Sequence, residues 1–69
     1  MAAYLEVDAY VAKIKSGRIY LKVDLIVGRE IVLSVAADNA KVTGGLTFAE
    51  GQPVTALVEG NRILKITPL

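Results

Sequence analysis

The chain contains no cysteine, no histidine and no tryptophan, and these absences exclude several classes of function. Without cysteine there is no disulfide framework and no thiolate metal site. Without histidine, a zinc, copper or iron centre would rest on carboxylates alone, which suit hard cations better. A nucleophilic triad would also lack its usual base, and Ser16 and Ser34 are the only serines. We therefore predict a protein that is not an enzyme and has no metal site.

Long hydrophobic runs and an excess of charge are also missing. No apolar run approaches the ~18 residues that span a bilayer. The stretch from Met1 to Glu6 has neither a basic segment nor a continuous apolar one, so it does not resemble a secretory signal. These features predict a cytoplasmic protein with no membrane partner. The net charge of +1 also disfavours nucleic acid as a partner, because nonspecific binding usually shows a clearer basic excess.

The chain as a whole is very apolar for its size. It has 69 residues, enough for one domain over 1–69, and 54% of them are hydrophobic, with a mean hydropathy of +0.50. A chain this short buries only about 60% of the surface that its unfolded form exposes. Since disulfides and thiolate metal sites are excluded, contact between identical chains is the remaining source of stability. We predict a homo-oligomer.

Period-two alternation of apolar residues predicts five β-strands. They are Tyr4 to Lys15, Arg18 to Val27, a third strand through Ile31, Leu33 and Val35, then Pro53 to Glu59 and Arg62 to Thr67.

The residues between these strands predict tight turns. Ser16-Gly17 and Gly60-Asn61 both suit two-residue hairpin loops, which need positive φ. Between the second and third strands, Gly28-Arg29-Glu30 predicts a three-residue loop. That loop would pair Val27 with Ile31 and Leu25 with Leu33, and so keep apolar residues on one face.

A short helix interrupts the strands. Residues Ala36 to Val42 have helical spacing over about two turns, and Gly44-Gly45 is typical of a helix end. The order of elements predicts an all-β fold, a five-stranded OB-like barrel with one short helix between strands 3 and 4. Another small five-stranded barrel, such as an SH3-like one, is the alternative.

The faces of the two hairpins follow from these turns. One face of the first hairpin would carry Lys13, Lys15, Arg18, Tyr20 and Lys22, with Val7, Ala9 and Val11 farther from the turn. Its core face would carry Tyr10, Ala12, Ile14, Ile19, Leu21 and Val23. The last hairpin is apolar on both faces, with Val54, Ala56 and Val58 on one and Leu57, Leu64 and Ile66 on the other. Leu57 would pair with Leu64, Val58 would pair with Ile63, and the uncovered face would meet a partner chain.

The basic face supports an alternative function. OB barrels bind single-stranded nucleic acid with aromatic platforms in a charged groove. Lys13, Lys15, Arg18 and Lys22 around Tyr20 are the residues that would do so here. A solvated hairpin tip that discourages aggregation explains the same residues, and we give it more weight.

One segment matches a known family. The pattern Leu46-x-Phe48-x-x-Gly51-x-x-Val54-Thr55-Ala56-Leu57-Val58, then Ile63-x-Lys65-Ile66, resembles the end of molbindin (Mop or TOBE-type) domains. Ile14-Lys15-Ser16-Gly17-Arg18-Ile19 resembles the first hairpin of that family. The resemblance implies an OB-like subunit in a hexamer, a trimer of dimers, that binds molybdate or tungstate at subunit interfaces.

The resemblance is weaker at the ligand positions of the family. The Ser-Ala-Arg-Asn-like opening has no counterpart here, and Glu59-Gly60-Asn61 replaces Lys-Ala-Ser/Thr after the fourth strand. The family's Thr-x-x-Ser falls at Ala36 and Asn39. Any anion is therefore expected at Asn39, Gly60, Asn61 and Arg62, which could instead form turns and helix-end hydrogen bonds. A ligand-free assembly domain is the third candidate function.

Overall fold

The computed structural model describes residues 4–26 and 29–69. The elements are β1 (Leu5–Lys15), β2 (Arg18–Ile26), β3 (Arg29–Ala36), α1 (Ala40–Thr43), β4 (Pro53–Glu59) and β5 (Arg62–Pro68). The all-β class and the order of three strands, one helix and two strands are confirmed. Val27 and Gly28, which the sequence placed at the end of the second strand and the start of a loop, lie outside the described residues.

All five strands belong to one antiparallel sheet in the order β3-β2-β1-β4-β5. The sheet curves enough for its two edge strands, β3 and β5, to approach each other, and α1 packs against β5. Across the described ranges no ladder of hydrogen bonds joins β3 to β5. The sheet is therefore not closed into a barrel, and we call the gap between β3 and β5 the seam.

Both predicted two-residue turns are present. Lys15 pairs with Arg18 around Ser16 and Gly17, whose φ angles are 55° and 73°. Two consecutive positive φ values are typical of the type I′ turn, whose twist matches that of the flanking strands. Glu59 pairs with Arg62 in the last hairpin.

The predicted register of the first hairpin holds only near its turn. Lys13 pairs with Tyr20 as expected, but Val11 pairs with Leu21 and not with Lys22, because Ala12 forms a β-bulge. The extra residue reverses the faces of β1 beyond the bulge. Consequently Val7, Ala9 and Val11 point inward, and Tyr10 lies opposite Lys22 on the solvent side, 39% exposed. The assignment of Tyr10 to the core was wrong, and so was the placement of Val7, Ala9 and Val11 on the basic face.

The backbone of Val11 shows how β1 is held at this bulge. Its N–H donates to the Gln52 carbonyl at 3.0 Å, and its C=O accepts from the Gly51 N–H at 2.7 Å. Beyond this point, the Ile14 N–H donates to Glu50 Oε2 at 3.0 Å. Ile14 keeps the inward side, opposite Ile19, but is 36% exposed.

The connection between β2 and β3 also differs from the prediction. Asp24 pairs with Glu30 and Ile26 with Arg29, so Arg29 and Glu30 belong to β3 and not to a loop. Between Asp24 and Ile26 the register shifts by one residue, so β2 has one residue without a partner on β3. Leu33 therefore pairs with Leu21, and the predicted Leu25–Leu33 pair was wrong.

The last hairpin contains a second irregularity that changes its faces. Val58 pairs with Ile63 as predicted, but Leu57 pairs with Lys65, which leaves Leu64 as the extra residue. Ile66 consequently lies opposite Ala56 in the core, 2% exposed. The predicted Leu57–Leu64 pair and the shared face of Leu57, Leu64 and Ile66 were wrong. Only Leu57 and Leu64, both half-buried, remain of that face.

The helix is shorter than its sequence pattern suggested. It spans Ala40–Thr43, a single turn, because Ala36 is held in β3 by pairing with Arg18. Gly44 ends it at φ 67°, as predicted. No helix in residues 4–26 and 29–69 is long and apolar enough to cross a membrane.

The core lies on the concave side of the sheet, and every strand contributes to it. It comprises Ala9, Val11, Ile19, Leu21, Val23, Leu33, Val35, Val42, Val54, Ala56, Val58, Ile63 and Ile66. Burying a valine, leucine or isoleucine contributes roughly 1.5–3 kcal/mol.

Candidate functional site

A groove of about 550 Å³ lies at the seam, and we call it the seam groove. Its walls are formed by the end of β3, by α1, and by the last turn with the start of β5. Asn39, just before α1, and Arg18 of β2 complete the lining. The lining residues are Arg18, Ser34, Val35, Ala36, Asn39, Lys41, Val42, Asn61, Arg62, Ile63 and Leu64. The groove exists because the sheet does not close, since a β3–β5 ladder would occupy this space.

The lining of the seam groove is cationic. Arg18, Lys41 and Arg62 supply three positive charges, and Asn39 and Asn61 add two neutral amides. None of the described residues that line it is acidic. Convergent cations in a lining that holds no carboxylate raise the local concentration of anions and favour their binding.

Arg18 reaches the seam groove from β2 across β3. Its Nε and Nη2 donate to Ser34 Oγ at 3.3 and 3.1 Å. This contact directs the guanidinium towards the seam and still leaves N–H groups for a ligand, because arginine carries five donors in a fixed plane. A guanidinium already held in place loses less conformational entropy when an anion binds.

Asn39 is positioned by its backbone. Its N–H donates to the Ala36 carbonyl at 3.1 Å, and its C=O accepts from the Val42 and Thr43 N–H groups at 3.0 and 2.9 Å. Its side chain makes no capping hydrogen bond. The predicted alternative role, helix-end hydrogen bonding, is thus carried by the main chain of Asn39, and the side-chain amide is available to a ligand.

Three of the four residues predicted for an anion come together in the seam groove. Asn39 enters from the helix side, and Asn61 and Arg62 enter from the last turn. Gly60 does not line the groove; at φ 60° it occupies the loop position that requires positive φ. Glu59, the carboxylate that replaces the family lysine, is half-buried and is not part of the lining either.

Sequence reasoning missed two charged residues of this groove. Lys41 gave only the signal of its nearness to Asn39 along the chain, since residues two apart in a helix do not face the same side. Arg18 gave none, because it is a distant residue on β2 that reaches the groove only through the sheet order. The sequence had assigned it to the basic face alone.

The second set of predicted residues lies on the solvent side of β1, β2 and β3, which we call the outer face. The Lys13 ammonium stands 4.8 Å from the centroid of the Tyr20 ring, within the range of a cation–π contact. The predicted nucleic-acid residues Lys13, Lys15, Arg18, Tyr20 and Lys22 all lie here.

The outer face also carries acidic residues. Lys22 and Tyr10 share a concavity of about 230 Å³ with Asp8, Asp24 and Glu30. Within the described residues these carboxylates do not form a cluster that could hold a metal ion. The outer face is therefore basic near the Ser16–Gly17 turn and acidic at the opposite end.

Comparison of the chain with known proteins matched no family profile, no curated sequence and no solved structure.

Proposed function

We propose that this chain is a non-catalytic binding protein that holds a small tetrahedral oxyanion, such as molybdate or tungstate, in the seam groove. One observation carries the proposal. Asn39, Asn61 and Arg62, chosen from the sequence as anion positions, converge on one groove with Arg18 and Lys41 and with no acidic residue in its described lining.

The chemistry of the groove suits an anion with several oxygen atoms. Guanidinium and ammonium groups form charge-assisted hydrogen bonds that are roughly twice as strong as neutral ones. The Asn39 and Asn61 amides can donate to further oxygens of the same ligand. Val35, Val42 and Ile63 are buried beneath these polar groups and limit the access of water from the core side. An anion on this floor would interact with the cations in a less polar environment than bulk water.

Assembly is part of this proposal. The resemblance to molbindins implies anion sites at subunit interfaces and a hexamer built as a trimer of dimers. The seam groove is open to solvent on one side, where a second subunit could complete the ligand's shell. We therefore propose a cytoplasmic homo-oligomer that stores or buffers molybdate or tungstate.

Thermal and chemical unfolding with added anions tests the proposal. Tungstate or molybdate at 100 times its dissociation constant should stabilise the folded chain by about 2.7 kcal/mol, whereas sodium chloride at equal ionic strength should not. Arg62→Gln should reduce this stabilisation, since it removes one charge from the groove. Lys65→Gln is the matched control, because Lys65 is exposed on the same strand but does not line the groove. No stabilisation by either anion, or an equal loss in both variants, would reject the site.

Single-stranded nucleic acid on the outer face is a second candidate. The bulge at Ala12 supports it, because it places Tyr10 on the same face as Tyr20 and so provides two aromatic rings for base stacking. A gel shift with a single-stranded oligonucleotide should then weaken with salt. Tyr20→Ala should abolish it, and Tyr4→Ala, which alters a tyrosine just before β1, should not. A ligand-free assembly domain would bind neither the anions nor the oligonucleotide.

A further inference from the structure

The charges of the outer face follow a regular order along the β1–β2 hairpin. Starting at the turn, the paired rows are Lys15 with Arg18, Lys13 with Tyr20, and Tyr10 with Lys22; Asp8, Asp24 and Glu30 follow beside the third row. Alternate residues of a strand lie about 7 Å apart, so each row is displaced by roughly that distance. The two rows that contain tyrosine thus lie midway between a basic end and an acidic end.

The two ends carry comparable exposed charges, and the half-buried Lys22 lies between them in the Tyr10 row. Lys13, Lys15 and Arg18 near the turn are exposed, and so are Asp8, Asp24 and Glu30 at the other end. The middle of the face adds apolar surface. Tyr10 is 39% exposed, and Val32, opposite Lys22 on β3, is 55% exposed.

We propose that a second copy of this chain docks on the outer face in antiparallel orientation. A two-fold axis between the Tyr20 row and the Tyr10 row would bring the two tyrosine rows of the copies together. The basic end of each copy would then face the acidic end of the other, because the Lys15 row and the Asp8 row lie at equal distances from that axis. An isologous contact of this kind is self-complementary by symmetry.

The charge pattern favours a copy of the chain over other partners. A nucleic acid would gain attraction at Lys13 and Lys15 but meet repulsion at Asp8, Asp24 and Glu30. A uniformly basic partner would be attracted to the acidic end and repelled by Lys13 and Lys15. A partner needs both signs at this spacing, and the chain itself provides that pattern. Aromatic residues at the centre, with charges around them, are also typical of protein interfaces.

The outer face and the seam groove can be tested separately. Of the residues named for the interface, only Arg18 also lines the seam groove, so the variants that test the interface leave Arg18 unchanged. Tungstate binding should persist in every one of them. Loss of the dimer and loss of anion binding are therefore separate results.

Charge exchange between two variants tests the interface. In one variant Lys13→Glu is combined with Lys15→Glu, and in the other Asp8→Lys is combined with Asp24→Lys. Sedimentation and native mass spectrometry should show dimers of the wild type, or larger assemblies built from them. Self-association of each variant should be at least tenfold weaker, since each would place like charges in contact. An equimolar mixture of the two variants should form heterodimers. Lys65→Glu, a charge reversal on β5, should dimerise like the wild type.

The same proposal makes a prediction for the unmodified chain. Its dimer should dissociate as salt rises from about 0.02 to 0.5 M, because exposed ion pairs are screened over that range. A wild type that stays monomeric at low salt would overturn the proposal. So would dimers that do not respond to salt, variants that self-associate like the wild type, or a mixture that gives no heterodimer.

Discussion

The first and last hairpins share a plan but serve different purposes. Each turns through two residues and each contains one extra residue, Ala12 in the first and Leu64 in the last. In the first hairpin the extra residue turns Tyr10 outward, beside the charged residues of the outer face. In the last it turns Ile66 inward to the core. One extra residue in a strand therefore decides whether the side chains beyond it face solvent or the core.

The neighbours of each hairpin explain the difference. β1 pairs with β4 only up to Tyr10, so its last residues have β2 on one side and a loop on the other. That end of the hairpin is free to carry Lys13 and Lys15. β5 is an edge strand, but α1 packs against it and β3 approaches it, so its inward residues are covered.

The largest effect should come from Ile66→Ala, set against Leu64→Ala. Ile66 is 2% exposed, so its truncation should cost about 2–5 kcal/mol of unfolding free energy. Leu64 is half-buried and should cost about 1 kcal/mol, because it leaves a smaller void. Urea unfolding of both variants compares them directly. If the two substitutions were equally damaging, Leu64 would not be the extra residue, and Leu64 and Ile66 would share a face as the alternation in the sequence predicted.

The two turns should show intermediate effects. Gly17→Ala and Gly60→Ala should each cost about 1–2 kcal/mol, because both glycines have left-handed φ values, 73° and 60°. An added Cβ would meet no atom within 4 Å at either site, so backbone strain alone sets the cost. Thermal unfolding measures it. Unchanged stability in either variant would contradict the assigned turn geometry.

A smaller effect is expected where β1 separates from β4. Glu50→Ala should cost about 0.5–1 kcal/mol, because the Ile14 N–H would lose its carboxylate acceptor to water. Glu50→Gln retains a carbonyl oxygen and should cost less. Hydrogen exchange at the Ile14 amide should accelerate in Glu50→Ala and much less in Glu50→Gln. Equal exchange in all three proteins would show that the Glu50 carboxylate does not protect the Ile14 amide.

The smallest effect on folding should come from Val32→Thr. Val32 is 55% exposed on the outer face, so the change should alter unfolding free energy by less than about 0.5 kcal/mol. Self-association should weaken by more than folding does, because Val32 lies in the proposed interface. A large loss of folding stability would place Val32 in the core and contradict this picture of the outer face.

Much of the fold could be predicted from the sequence because alternation and turn chemistry are local. Both two-residue turns follow from their glycines, and every strand is present. The bulges could not be predicted, since Ala12 and Leu64 look like ordinary strand residues. The helix was overestimated for a related reason: Ala36 has good helical propensity, but its pairing with Arg18 is a long-range contact.

The candidate site was predictable to a different extent. The side chains of Asn39, Asn61 and Arg62 could be named from the resemblance to molbindins, and they do share a groove. Their combination with Arg18 could not be anticipated, because it depends on β2, β3 and β5 lying around an open seam. Sequence patterns locate residues along a strand, but only the curvature of the sheet shows which ends meet.

The most direct test of the anion site is nuclear magnetic resonance of the ¹⁵N-labelled chain during a tungstate titration. If the seam groove binds the anion, the Asn39 and Asn61 side-chain amides and the Arg18 and Arg62 Nε–H signals should show saturable shifts. The Gln52 side-chain amide is the internal control, because it is held by Ala49 away from the groove lining and should not move. Absent shifts, or shifts as large at Gln52 as at Asn39 and Asn61, would contradict anion binding in the seam groove.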